Sequence, residues 1–209
     1  MKNSKIILAT LVLTFMGFTN SNAQSNIAKF GVKGGVNFSN LYTNNADDQN
    51  VLTGFNIGLY AKVPVTNIIS IQPEIYYTGK GAEVVYNNAF AKGTAKFKLN
   101  YIEVPVMFVA NVTKNFNVQV GPYAGYLISG KTTNESGTYN FENNINTDDF
   151  NKIDAGVAVG LGLDLETVSF GVRYNYGLTK IGKENTTTNQ AFPDAKNSVL
   201  SLYGAFSFN

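Results

Sequence analysis

The chain has 209 residues, with 16 Lys and Arg against 14 Asp and Glu, and it contains neither His nor Cys. The lack of cysteine excludes disulfides, thiolate metal sites and a lipid-anchored lipoprotein, and the near balance of charge excludes the clustered basic excess that nucleic acid calls for. Only 14% of the residues are charged, against about 25% in an ordinary soluble protein; polarity comes instead from Asn, Thr, Ser and Gly.

The first element in chain order is an export signal. Lys2 and Lys5 precede an apolar run from Ile6 to Phe18, and Ser21-Asn22-Ala23 supplies small residues for cleavage before Gln24. The 13-residue apolar run is shorter than the roughly 20 residues of a membrane-spanning helix. A signal peptide over 1–23 leaves one domain over 24–209, in which 14 basic residues face 14 acidic ones.

Beyond the signal, period-two alternation is the dominant pattern. It predicts strands at 29–38, 53–64, 68–79, 97–110, 115–128, 152–165, 168–178 and 197–208. In "DAGVAVGLGLDLETVSFGVRYNYGL" (154–178) the apolar residues fall on every second position of two successive strands. Most strands hold 10 or more residues, close to the roughly 9–11 that cross a bilayer at a tilt and longer than the roughly 5–6 usual in soluble sheets. Short turns around Val65-Thr66-Asn67, Val112-Thr113-Lys114 and Glu166-Thr167 follow the second, fourth and sixth strands, and long polar connections follow the first, third, fifth and seventh. A meander with this alternation places its tight turns and both termini at one end and its long loops at the other, as outer-membrane barrels do. The fold class predicted is all-β, an eight-stranded antiparallel up-and-down transmembrane β-barrel.

Strand parity sorts the side chains onto two faces. One carries Phe30, Val32, Phe55, Ile57, Leu59, Val104, Phe108, Val157, Val159, Leu161, Phe170 and Leu202 and no charge; the other carries Lys33, Lys62, Glu74, Glu103, Asp154 and Arg173 among Tyr, Asn, Gln and Gly. A secreted soluble carrier would turn the apolar face inward around an apolar ligand. A membrane barrel would turn it toward lipid. The mixture of Gly with Tyr on the polar face, the few charges of both signs and the aromatic residues toward strand ends favour lipid. Lys33, Lys62, Glu74, Glu103, Asp154 and Arg173 then form a lumen charge network, read either as a structural plug or as the gate of a narrow channel. Eight strands enclose little beyond their own side chains, which excludes a wide pore.

Other chemistry is weakly signalled. Without His, the usual acid–base and catalytic-pair machinery is missing, so the protein is read as no enzyme. "GLGLD" (160–164) lies inside a strand pattern and opens no helix, which rules out a dinucleotide loop. Asp47-Asp48 and Asp148-Asp149 lack the spacing of a calcium loop and read as solvated carboxylates, so no metal or cofactor is expected.

Taken in order, "FGVKGGVNFSNL", "ISIQPEIYYTGKG", "LNYIEVPVMFVAN", "NVQVGPYAGYLISG", "IDAGVAVGLGLDL", "FGVRYNYGLTKI" and "SVLSLYGAFSFN" resemble the small outer-membrane β-barrel domain proteins common in Bacteroidetes, often labelled porin-like. The secretion-associated barrel PorT is similar. The resemblance implies an integral barrel in outer-membrane lipid, inserted by the barrel-assembly machinery. That machinery reads a C-terminal aromatic strand, and Phe206 and Phe208 match, although Asn209 follows them. It implies no catalytic residues and no substrate. The expected role is structural or interactive, with long loops meeting a surface or secretion partner outside the cell. A narrow gated channel and the secreted soluble carrier are the alternatives.

Overall fold

Val, Ile, Phe, Tyr and Thr in alternation with small or polar residues favour an extended backbone whose two faces differ. The computed structural model describes residues 27–42, 49–87, 92–136, 139–183 and 194–208. Its strands are β1 (Lys29–Tyr42), β2 (Gln49–Asn50), β3 (Leu52–Pro64), β4 (Ile69–Asn87), β5 (Lys92–Asn111), β6 (Phe116–Ser136), β7 (Tyr139–Asn144), β8 (Ile153–Leu165), β9 (Val168–Lys180) and β10 (Lys196–Ser207). The order around the sheet is β3-β1-β10-β9-β8-β6-β5-β4, and β4 pairs back onto β3. Every pairing is antiparallel, so these eight strands form a closed barrel, with Val36 opposite Leu202 at the seam between the first and last strands. Closure satisfies each backbone group inside the sheet, which a strand surrounded by hydrocarbon requires.

The tight turns are built alike. Val65 and Thr66 both donate to the Ile69 carbonyl, and Val112 and Thr113 both donate to that of Phe116. In each, the threonine hydroxyl accepts from backbone amides two and three residues on, from Ile68 and Ile69 or from Asn115 and Phe116. The third turn is shorter, with Glu166 at φ 45°, the left-handed conformation that two-residue hairpins demand.

Three strands outrun their predicted lengths most, while β1 runs on to Tyr42 and β9 to Lys180. The stretches expected as long loops at 80–96 and 129–151 are in large part sheet: β4 continues to Asn87, β5 begins at Lys92, and β6 continues to Ser136 before β7 returns beside it. "GAEVVYN" and "KGTAKFK" keep the period-two rhythm, and their polar composition disguises it. At about 3.3 Å per residue a strand of 20 residues spans about 65 Å, which even when tilted exceeds a hydrocarbon core of about 30 Å. The wall formed by β4 to β7 therefore projects beyond the other strands at the end opposite the tight turns. A register shift between Asn100 and Tyr101 marks the base of that wall, where a bulge increases local twist. The expected signal at 1–23, Asp47-Asp48 and the middle of the connection after β9 lie outside the described residues.

The apolar face is outside. Phe55, Ile57 and Leu59 are 48, 59 and 55% exposed, whereas Lys33, Glu74, Glu103 and Arg173 are 5, 3, 0 and 2% exposed. The soluble-carrier alternative needs the reverse arrangement, and this orientation overturns it.

Candidate functional site

The interior is where the chemistry gathers, because each barrel strand sends one parity of its side chains inward. Beginning at the tight-turn end, Lys62 of β3 contacts Asp164 of β8 at 2.7 Å, and Asn117 donates to the same carboxylate oxygen at 3.0 Å. These strands lie four places apart in a ring of eight, so the pair spans the full lumen. Next comes Glu74 of β4, which accepts both guanidinium arms of Arg173 at 2.6 and 2.9 Å from the diametrically opposed β9. Lys33 of β1 reaches the same two oxygens at 3.2 and 3.3 Å, and Gln72 donates to one of them at 2.7 Å. Arg173 also donates to Gln119, whose amide in turn donates to the Tyr203 hydroxyl. The Lys33 ammonium lies 3.7 Å from the centre of the Tyr203 ring, a cation–π contact that partly replaces its lost hydration.

A second triad lies further along. Lys80 bridges Glu103 and Asp154, at 2.8 Å from the latter. Tyr76 and Asn175 each donate to Glu103 at 2.8 Å, and the Thr179 hydroxyl donates to Asp154 at 3.3 Å. The rings of Tyr123 and Tyr101 flank the Lys80 ammonium at 4.5 and 5.4 Å. Glycine makes room for these large groups: a Cβ on Gly171 would overlap the Tyr203 hydroxyl, and one on Gly156 would stand 2.8 Å from the Tyr123 ring.

All six charges singled out from the sequence point inward, but their partners differ from the simple pairing of acids with Lys33, Lys62 and Arg173. Only Glu74 takes two of those cations. Glu103 and Asp154 are served by Lys80, and Lys62 by Asp164. Sequence reasoning missed Lys80 because the predicted strand stopped at residue 79, although Lys80 continues the parity of Gln72, Glu74, Tyr76 and Thr78. Asp164 shares the parity of Asp154 in β8 and was legible in the same way.

The two ends of the lumen differ. At the tight-turn end a half-open cavity of about 850 Å³ is lined by Lys33, Lys62, Gln72, Gln119, Asp164 and Tyr203 among others. At the opposite end Leu41, Ala82, Leu99, Leu127, Phe150 and Ile181 pack into an apolar cluster over the second triad. Phe206 and Phe208 face outward at the end of the chain with ring centroids 6.2 Å apart. Asp148 is exposed and pairs with Lys152 at 3.1 Å. Among the described residues no three or more His, Cys, Asp or Glu stand together as a metal site.

With these features in place, the chain can be set beside known proteins. A profile of the family described as "Outer membrane protein beta-barrel domain" matches residues 22–182. No curated protein matches the chain. Among solved structures, it is similar to Neisserial surface protein A at 16% identity and a TM-score of 0.50, over 87% of this chain and 99% of that one. It is also similar to Ail, the attachment invasion locus protein of Yersinia pestis, at 14% identity and a TM-score of 0.49, over 87% of this chain and 99% of that one. OprG from Pseudomonas aeruginosa matches at 15% identity and a TM-score of 0.38, over 88% of this chain and 97% of that one.

Proposed function

This chain belongs to the outer membrane protein β-barrel domain family, and from that premise we propose that it is a non-conducting barrel, plugged by its own side chains, whose projecting wall of strands is a contact surface. Family membership places it in the outer membrane. The plug is supported above all by the two struts that cross the lumen, Lys62–Asp164 and Arg173–Glu74, with the Lys80 triad and an apolar cap stacked beyond them. Water and ions crossing the barrel would have to part every one of these layers. Single-channel recording in planar bilayers tests the reading: the wild-type barrel gives a closed trace, and discrete steady conductance would refute it.

The gated channel remains the second reading because one observation favours it. Glu74 is shared by Lys33 and Arg173, while Lys80 is shared by Glu103 and Asp154. Such three-membered clusters permit partner exchange, the movement a gate needs. Arg173→Met in the same recording separates the two readings, since a plug stays closed and a gate opens.

The remaining expectations fit this role. Phe206 and Phe208 are the assembly signal read by the barrel-assembly machinery. An export signal over 1–23 delivers the chain. The wall of β4 to β7, together with the connections beyond it, meets a surface or secretion partner. Kinship with Bacteroidetes barrels and with PorT is supported by the order of motifs along the sequence. Catalysis has no place in the proposal.

A further inference from the structure

The geometry points to an anion-binding site in the cavity at the tight-turn end, for a small molecule that presents carboxylate or phosphate oxygens. The lower triad holds two cations for one carboxylate. Arg173 already takes both oxygens of Glu74 at 2.6 and 2.9 Å, which leaves Lys33, at 3.2 and 3.3 Å, as the weakly held member. Lys33 is 5% exposed and forms part of the cavity wall. The upper triad has the opposite excess, two carboxylates for Lys80, and lies on the far side of Tyr76 and Asn175. The two triads thus make a dipole along the lumen whose positive end faces the cavity. A site walled by low-dielectric barrel concentrates that field.

The cavity's own lining has the same sign: Lys29, Lys33, Lys62 and Lys114 stand against Asp164 and Glu166. Neutral polar groups line the same space: the hydroxyls of Ser70 and Tyr203 and the amide of Gln72, one hydrogen of which is given to Glu74, whereas the Gln119 amide already donates to Asn117 and Tyr203. Its volume of about 850 Å³ lies within the range of about 300–1,000 Å³ typical of ligand pockets. The apolar cluster of Leu41, Leu99, Leu127, Phe150 and Ile181 closes the other end, so the anion enters and leaves by one mouth. An anion on Lys33 would supply the second negative charge that the lower triad lacks, and buried ions left without a counter-charge are costly.

The test uses isotopically labelled whole barrel in detergent micelles, titrated with inorganic phosphate and, separately, acetate at fixed ionic strength. The site predicts that the side-chain amide signals of Gln72 and Gln119 shift and saturate at millimolar phosphate or acetate. The anion that saturates at lower concentration identifies the favoured oxygen chemistry. Lys33→Gln weakens binding by about tenfold or more, as expected for loss of one charge-assisted hydrogen bond, and leaves the signals of Leu99 and Leu127 unchanged. Lys62→Gln, at the mouth, weakens it less and serves as the deciding variant if Lys33→Gln fails to fold. Shifts that rise linearly without saturation for both anions, or that are the same in wild type and in the folded variant, overturn the proposal.

Discussion

Lys80→Met probes the lumen most severely, because one ammonium there serves two carboxylates. Glu103 is 0% and Asp154 2% exposed, and Lys80 itself is 1% exposed. Removing the shared cation leaves both acids buried beside each other. Breaking a single buried ion pair costs about 3–5 kcal/mol. The remaining bonds from Tyr76 and Asn175 to Glu103, and from Thr179 to Asp154, soften the loss without neutralising either charge. A destabilisation of about 3–5 kcal/mol is therefore expected, read as a lower urea midpoint for reversible unfolding in lipid vesicles at neutral pH. Adding Glu103→Gln and Asp154→Asn to Lys80→Met removes the stranded charges and recovers most of the loss, because replacing a whole buried charged cluster is often near neutral. Lys33→Gln is the contrasting control: Arg173 still holds both oxygens of Glu74, so no carboxylate is stranded and the loss is smaller than for Lys80→Met. If Lys80→Met unfolds at the wild-type midpoint, or if the triple variant is no more stable than the single one, the ion-pair account of the lumen is wrong.

Other perturbations address separate parts of the structure. Gly171→Ala drives a methyl group into the Tyr203 hydroxyl and the Leu161 carbonyl and lowers the unfolding free energy by about 1–3 kcal/mol, the usual cost of overpacking; an unchanged midpoint would mean the lumen is looser than its geometry. Val159→Arg, on the outward face of β8, costs about 2–4 kcal/mol in vesicles if it lies near the bilayer midplane and has little effect if that face meets water. Deleting Phe206, Phe208 and Asn209 reduces the fraction of barrel that becomes resistant to unheated detergent electrophoresis in cells; full assembly of the truncated chain would remove those aromatics from the assembly signal.

Much of this architecture was legible because a barrel strand repeats every two residues and its two faces meet different solvents. The eight strands and the three tight turns follow from that rhythm, which also sets Lys33, Lys62, Glu74, Glu103, Asp154 and Arg173 on one face; that this face turns inward follows from its mixture of Gly with Tyr, its few charges of both signs and the aromatic residues toward strand ends on the other face. The lengths of β4, β5 and β6 were harder to read. Beyond residue 79 the rhythm persists, but Lys, Asn, Thr and Gly replace the apolar members where the wall projects beyond the other strands, so the contrast between faces fades. Pairing within the lumen was not legible for a different reason. Parity fixes a face but not a height, and Arg173 meets Glu74 across the full width of the barrel only through the accumulated stagger of the strands between them. Lys80 finds Asp154 on a strand three places away by the same stagger.

The most direct check of the central claim exploits a convenience of the chain, its lack of native cysteine. Single cysteines placed in turn along β8 from Ala155 to Leu165, spin-labelled and reconstituted in lipid vesicles, report contact with membrane-dissolved oxygen by electron paramagnetic resonance. Oxygen accessibility that alternates with period two, high at Val157, Val159, Leu161 and Leu163 and low at Ala158 and Gly162, is the predicted result. The opposite phase, or high accessibility to a water-soluble nickel reagent at Val157, Val159, Leu161 and Leu163, would contradict it.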